Sequence, residues 1–370
     1  VSEISGGHVV DRSAPGDTVR EATAAEVARW DELVTGNLDG GDVWRAHDYA
    51  ELKRRTRYRP HYLVVDGEAV TVLEKRVPLL GRLWYLPGGP AARDVDDLIA
   101  RGDLIADYAR ARGAFAIKIE PRLLRTERDR QRLLDHGYRE VATIAPNETT
   151  VIVDITGEPE EVQRRFSTRA RRWIRRAERD GVQLERVPAT AENCRIMYGL
   201  LAGTATARFG IRSEDYYRDC WPRYEASGSG QLFFARFQGE VVAGVFAKRL
   251  GRTAFYKDGG SIRKSADSSA ANGLGAHGVG HAIQWEVMRW ARENGCSRYD
   301  LGAVPPADRV DDPSHPYHGL ADFKRSFNKE ITEFLGAYDL PLRRGYRLWQ
   351  GGLEREARRF SMLVRRDTYY

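Results

Sequence analysis

The sequence is poor in cysteine. It has three in 370 residues, Cys194, Cys220 and Cys296, and none stands in a CxxC or other metal-type spacing. A disulfide framework and a thiolate metal site are both excluded, and idle thiols in a reducing compartment are expected. The eight histidines are scattered. His277 and His281 are four apart and would share a helix face, but no carboxylate or third ligand accompanies them, so no metal is expected. No run of about 18 apolar residues occurs, which excludes a membrane-spanning helix. The opening residues, "VSEISGGHVVDRSAPGD", lack the apolar core of a secretion signal, and a cytoplasmic location is expected. There is no Gly-x-Ser-x-Gly elbow and no evident Cys-His pair, so a covalent acyl-enzyme is not indicated.

What is present is an ordinary globular composition, 42% hydrophobic and 10% aromatic, with a net charge of +6. The length exceeds what one hydrophobic core usually fills and favours two domains. The order of elements agrees. "YLVVDGEAVTVLEKRVP" reads as a hairpin turning at Asp66-Gly67, followed by the strand "RLWYLPGG". A helix over Val95–Arg112 carries the apolar stripe Leu98, Leu104, Ile105 and Tyr108, and the strand "AFAIKIEP" follows it. The second half repeats this order. "QLFFARFQGEVVAGVFAKRL" turns at Gln238-Gly239, "TAFYKDGG" is a strand, "GHAIQWEVMRWARENG" a helix ended by Gly295, and "SRYDLGA" the closing strand. A doubled module predicts two similar α/β domains, each a mixed sheet covered by helices, in an order that suits acetyltransferase-like domains. The boundaries read as 1–148 and 149–342, with a helical tail over 343–370 that returns to the first domain.

Two stretches have unusual charge. Between Arg164 and Arg179, "RRFSTRARRWIRRAER" holds eight arginines and one glutamate. Phe166, Ala170, Trp173, Ile174 and Ala177 give one apolar helical face, and like charges crowd the others at i,i+3 and i,i+4. Arginine forks match phosphate oxygens, so a phosphate-bearing partner is expected, against the plainer reading of a solvated basic face. Aromatics are not regularly interleaved, so backbone or shape contact is expected rather than base stacking. The second stretch is "GLADFKRSFNKEITEFLGAYDLPL", where Lys324 sits among Phe323, Phe327, Phe334 and Tyr338. The plain reading is a snorkelling surface lysine. The alternative is a partly desolvated ammonium whose field on a ligand oxygen exceeds that in water.

These stretches, with "DYAELKRR", "LWYLPGGPAARD" and "RYDLGA", resemble the FemABX (Fem-like) family of non-ribosomal aminoacyltransferases over about residues 45 to 342. The resemblance implies a fold of two tandem acetyltransferase-like (GNAT-type) α/β domains. It implies an aminoacyl-tRNA donor and an acceptor amine on lipid II or the UDP-MurNAc-peptide, for the cell-wall cross-bridge. It also implies peripheral contact with the inner membrane surface, and no cofactor. Lys324 and Phe323 match the family's functional Phe-Lys pair, with the lysine expected at the oxyanion and the 3′ end. Lys53 matches a lysine that meets precursor phosphate, and Arg208 or Arg212 would be the second clamp, with Tyr216 or Tyr217 nearby. Tyr256, Tyr85 and Asp94 match substrate-facing positions, and Arg169, Arg172 and Arg176 line one face of the arginine helix for tRNA or phosphate. Where the family commonly has Pro-Arg-Gly-Pro, this chain has Pro87-Gly88-Gly89-Pro90, and Asp94 falls one place later than the pattern. The long coiled-coil arm of some members is absent. Rival readings are a tRNA-dependent transferase of an antibiotic pathway, a CoA-dependent N-acyltransferase and a non-catalytic RNA-binding protein. "NGLGAHGVGHAIQW" has the glycines of a phosphate-cradling loop before a helix but lacks the Gln or Arg that starts a CoA loop.

Overall fold

The computed structural model describes residues 18–205, 210–262, 277–315 and 317–361. The first sheet is built from β1 (Val19–Glu21), β2 (Arg59–Val65), β3 (Glu68–Val77), β4 (Gly81–Leu86), β5 (Ala114–Ile119) and β6 (Arg139–Val141). The second holds β7 (Thr149–Asp154), β8 (Gln183–Val187), β9 (Gly230–Phe237), β10 (Glu240–Leu250), β11 (Thr253–Ser261), β12 (Arg298–Ala303) and β13 (Thr332–Glu333). β14 (Ala337–Pro341) goes back to the first.

Both hairpins form at the expected turns. Asp66 and Gly67 have φ of 48° and 80°, and Gln238 and Gly239 have 53° and 85°. Two successive positive φ values are what a two-residue turn needs to follow the strand twist. The strand orders are β1-β2-β3-β4-β5-β14-β6 and β13-β7-β12-β11-β10-β9-β8. Read in opposite directions they are one topology used twice. In each, the strand after the hairpin runs parallel to the strand beyond the helix, β4 to β5 and β11 to β12. The crossover helices are Val95–Ala111 and Val279–Glu293. A parallel pair needs such a crossover, because no tight turn can join two strands running the same way.

The expected boundary at 342 needs correction. β14 pairs with β5 and β6, so the second domain gives up its last strand to the first sheet. There Asp339 meets Lys118 at 2.7 Å and accepts a hydrogen bond from the Tyr346 hydroxyl at 3.0 Å, all three buried. Trp349 then packs edge-on to Phe115 at 5.8 Å, which brings the described part of the tail onto the first domain.

The expected single helix from Arg164 is also two. Pro159–Arg165 ends at Phe166, which is extended, and the Ser167 hydroxyl accepts from the Ala170 amide to start Thr168–Arg179. A serine cap of this kind competes well against helix continuation. The arginine helix buries Ala170, Ile174 and Ala177 and packs on Val279–Glu293. Gly278, at φ 70°, has the Trp173 carbonyl where a Cβ would stand, so only glycine lets the two helices close at that end.

The first sheet's two faces differ. One packs Leu63, Val72, Trp84, Leu98, Ile105 and Ile117 into a core of its own. Each such buried aliphatic or aromatic side chain is worth about 1.5–3 kcal/mol. The other packs Trp44, Tyr49, Tyr85 and Phe115 together with Leu250 and Phe255 of the second half. The two domains therefore share a core along their seam.

Candidate active site

The parallel pair β11–β12 is joined only from Thr253–Arg298 to Phe255–Asp300. Beyond Phe255 and Asp300 the strands part. The first-domain pair stays joined along its length, from Arg82–Ala114 to Leu86–Ile119. The opening in the second sheet is bordered by Tyr256 on β11 and by Gly302 and Ala303 on β12. Gly302 has φ of 76°, and a Cβ there would lie 3.7 Å from the Lys324 Nζ.

Lys324 lies in the last turn of the short helix His318–Arg325, is 5% exposed, and donates from Nζ to the Ala303 carbonyl at 2.8 Å. Its ammonium lies 6.0 Å from the Tyr256 ring centroid. Burial pushes its pKa down to about 8, against the opposing pull of Asp300. It is no snorkelling surface lysine. The charged form still predominates at neutral pH, and two donor hydrogens are left for a ligand oxygen. Asp300 is held in turn by the Thr150 hydroxyl, the Gly302 amide at 2.8 Å and Arg122 at 3.2 Å. Arg122 also reaches Asp42 at 3.3 Å, tying the first domain to the lysine's counter-charge.

Phe323 leads outward from Lys324. Its ring meets His281 edge-on at 4.8 Å, and His281 stacks on Trp173 of the arginine helix at 6.4 Å and 22°. Burial, helped by the charge of Arg169, pushes His281 down to about 4, so it is a neutral ring at physiological pH. Arg172 and Arg176 flank Trp173 at 5.5 and 5.9 Å from its centroid. Aromatics are thus interleaved with the arginines in space, through helices distant in sequence, although the linear order hides it. Arg169 and Arg172 are exposed, and Arg176 is tied to Asp180 at 3.1 Å.

A second cluster lies in the seam. Lys53 closes the helix His47–Leu52 and is 7% exposed, opposite the second-domain helix Glu214–Ala226, where Arg55 pairs with Asp219 at 2.9 Å. Burial first, then the charges of Arg212 and Lys75, hold the Lys53 pKa well below the usual lysine range, and Glu120 opposes them. Arg212 lies over the Tyr216 ring at 4.7 Å. Tyr85 is fully buried and donates to Glu120, whose carboxyl burial raises. It forms the floor of the cluster. Of the two arginines that the sequence left open, Arg212 stands near Lys53, while Arg208 lies outside the described residues.

Asp94 joins neither group. It is exposed and its carboxylate accepts from the Asp97 amide at 2.9 Å, the N-cap of Val95–Ala111. The Pro87–Pro90 loop instead packs on Asp42 and Arg45.

Sequence reasoning missed Lys75, Lys248 and Lys257. The ring of Tyr58 lies between Lys75 at 4.5 Å and Lys53 at 5.9 Å, and the ring of Tyr49 between Lys53 at 5.2 Å and Lys248 at 5.1 Å. Lysines and aromatic rings thus alternate across the seam. Lys257 is the extra residue of a bulge between Phe246–Asp258 and Ala247–Tyr256. The bulge points it away from the β alternation. Lys75 and Lys248 each stand beside an arginine, in Glu74-Lys75-Arg76 and Lys248-Arg249, so the linear order did not single them out as charges facing the interior.

Among the described residues no group of three or more His, Cys, Asp or Glu could hold a metal, and no helix is long and apolar enough to cross a membrane. Residues 164–325 match the acetyltransferase (GNAT) domain family, a stretch that contains β11, β12 and Lys324. The chain is 24% identical to the UDP-N-acetylmuramoylpentapeptide-lysine N(6)-alanyltransferase of Weissella viridescens, over 81% of this chain and 89% of that one. It is also 24% identical to the lipid II:glycine glycyltransferase of Staphylococcus haemolyticus, over 82% and 88%. The crystal structure of FemX has the same fold, with a TM-score of 0.74 and 20% identity, over 90% of this chain and 99% of that one.

Proposed function

We propose that this chain, which belongs to the FemABX family of aminoacyltransferases, moves an amino acid from aminoacyl-tRNA to an amine of a peptidoglycan precursor, building the cross-bridge. The observation that carries the reading is Lys324, a buried ammonium at the opening between β11 and β12. In the reaction the neutral acceptor amine attacks the ester carbonyl, a C–N bond forms, and the bond to the ribose oxygen breaks. The amine's proton leaves as the ribose hydroxyl forms. No protein nucleophile is needed. Negative charge gathers on the carbonyl oxygen in between, and a preorganised cation in a water-poor site stabilises it more than bulk water would.

The seam cluster suits the acceptor. Lipid II and the UDP-linked precursor share a diphosphate, and Lys53, Arg212, Lys75 and Lys257 gather positive charge where Glu120 and Asp258 only partly offset it. One site therefore serves either form of the acceptor. The arginine helix and the rings of Trp173, His281 and Phe323 suit the donor: phosphates on the arginines, unpaired bases of the acceptor end on the rings, the ester at Lys324. A charged tRNA and a UDP-linked precursor are both cytoplasmic molecules, so the reaction belongs in that compartment.

The match to an acetyltransferase (GNAT) domain favours a second reading, acyl transfer from CoA. Against it, the glycine-rich stretch before the helix Val279–Glu293 lacks the Gln or Arg that starts a CoA loop. One experiment decides: the purified chain is given a charged tRNA pool or acetyl-CoA, with lipid II or the UDP-linked precursor, and the product mass is read. An aminoacyl adduct that disappears after ribonuclease treatment is expected. An acetyl adduct, with none from charged tRNA, would overturn the reading.

A further inference from the structure

Three chain segments meet at one end of the first domain. They are the β3–β4 turn, the end of the helix Val95–Ala111, and the start of the tail. Gly81 backs onto the Gly113 carbonyl, and the Arg82 amide donates to it. Leu342 and Arg343 donate to the Phe115 carbonyl at 2.9 and 3.2 Å, and the Arg343 guanidinium reaches the Arg110 carbonyl at 3.3 Å. Leu80 touches the Gly345 position. At the tip of the turn Leu79 is 102% exposed, beside exposed Pro78, and in the tail Leu348, one helical turn after Gly345, is 64% exposed.

A single exposed leucine is ordinary, but here Leu79, Pro78 and Leu348 are exposed at the one end of the domain where the turn meets the tail through Leu80 and Gly345, and a grouped apolar surface of this kind suits an apolar partner. Arginine surrounds them: Arg76 and Arg82 flank the turn, Arg110 and Arg112 end the helix, and Arg343, Arg344 and Arg347 begin the tail. Among the described residues only Arg82 and Arg110 of these seven have a carboxylate partner, Glu74 and Asp107. We infer that this face docks on the surface of an anionic lipid bilayer, with Leu79 entering the acyl boundary and the arginines meeting lipid phosphates. Aliphatic tips within a cationic ring are what an interfacial membrane surface requires. A nucleic acid would use the arginines but has nothing for exposed leucines. The lipid-linked form of the acceptor gives such a surface a use, but vesicle binding is read with neither donor nor acceptor present, so the two readings fail separately.

The test is cosedimentation with vesicles of phosphatidylcholine alone or with about a third phosphatidylglycerol. The full chain should bind the anionic vesicles and leave the neutral ones. R343Q/R344Q/R347Q should weaken binding about 100-fold, from roughly a fivefold loss for each surface arginine. Leu79→Asn should weaken it several-fold. The indole introduced by Leu79→Trp should shift its emission to the blue on vesicles and be quenched by brominated acyl chains. All these residues are exposed, so the melting temperature should hold. Activity on the soluble UDP-linked precursor should also stay. Unchanged vesicle binding in the triple variant, or an unshifted emission from the Leu79→Trp variant, overturns the proposal. So does loss of tRNA binding with vesicle binding intact, which would make the face a nucleic-acid surface.

Discussion

Lys248 holds its ammonium 3.8 Å from the centroid of the Trp44 ring, a contact between the second domain and the first. It is 1% exposed, makes no hydrogen bond among the described residues, and has Tyr49, Tyr224 and Phe255 around it as well. The rings stand in for water, but only in part. Burial, with the charge of Lys257, pushes its pKa down to about 7.

Lys248→Met should therefore stabilise the protein, by about 1–3 kcal/mol at pH 6. The sign follows from linkage. The unfolded chain holds this proton up to the ordinary lysine pKa, the folded chain releases it near 7, and so low pH favours unfolding. The advantage of the methionine should be greatest below pH 7 and narrow as pH rises toward 10. Denaturant melts of both proteins at several pH values check this; an advantage that does not change with pH would remove the buried-charge account.

Lys324→Met should retain the fold and lose roughly 10²–10³ in transfer rate, the cost of one oxyanion donor. The ammonium is lost as pH rises through about 8. The ratio of wild-type to variant rate should therefore fall above pH 8, even while both rates gain from deprotonation of the acceptor amine. Single-turnover rates over pH 6.5–9.5 give the answer, and a constant ratio would separate the lysine from the chemistry.

Lys53→Met and Lys75→Met should each raise KM for the diphosphate-bearing acceptor about tenfold or more, with kcat less affected. An equal effect on a diphosphate-free pentapeptide acceptor would place the lysines elsewhere. Lys257 pairs with Asp258 at 3.1 Å, so its removal should cost fold as well as affinity.

R169Q/R172Q/R176Q should flatten the salt dependence of tRNA binding. Each lost phosphate contact takes about 0.7 from the slope for a single strand. Arg176 is engaged by Asp180, so a change near two contacts rather than three is expected. Trp173→Ala should weaken tRNA binding without altering the slope, because stacking releases no counterions. Filter binding across salt concentrations measures both.

Asp94→Ala should lower stability by about 1 kcal/mol, the usual worth of an N-cap, and leave KM and kcat alone. A kinetic change in the folded variant would return Asp94 to the site.

The repeat was legible because its signs are local: two turn dipeptides, a period of two, then a period near 3.6. The glycine turns at Asp66-Gly67 and Gln238-Gly239 left few other choices. Lys324 was legible through its phenylalanines, and Lys53 through the residues around it. Other parts were not. Whether β14 belongs to the first or second sheet depends on a buried pair, Lys118 with Asp339, 221 positions apart in the chain. The path from Phe323 through His281 to Trp173 joins three helices and has no linear pattern. Lys257 owes its direction to a bulge, which alternation cannot foresee. Asp94 looked like a substrate carboxylate because a cap and a ligand use the same residue types.

The placing of β14 has a consequence for the order of folding during synthesis. Edge-to-edge, the second sheet is complete once Glu333 is made, with every strand coming from Thr149 onward. The first sheet, although its own strands emerge earlier, stays split: β5 and β6 meet only through β14. The ribosome must therefore reach Pro341 before the N-terminal half can close, and the C-terminal half is the one free to fold first. Until then β5 offers an open edge with Lys118 unpaired at its centre, and that charge helps to keep other strands off it.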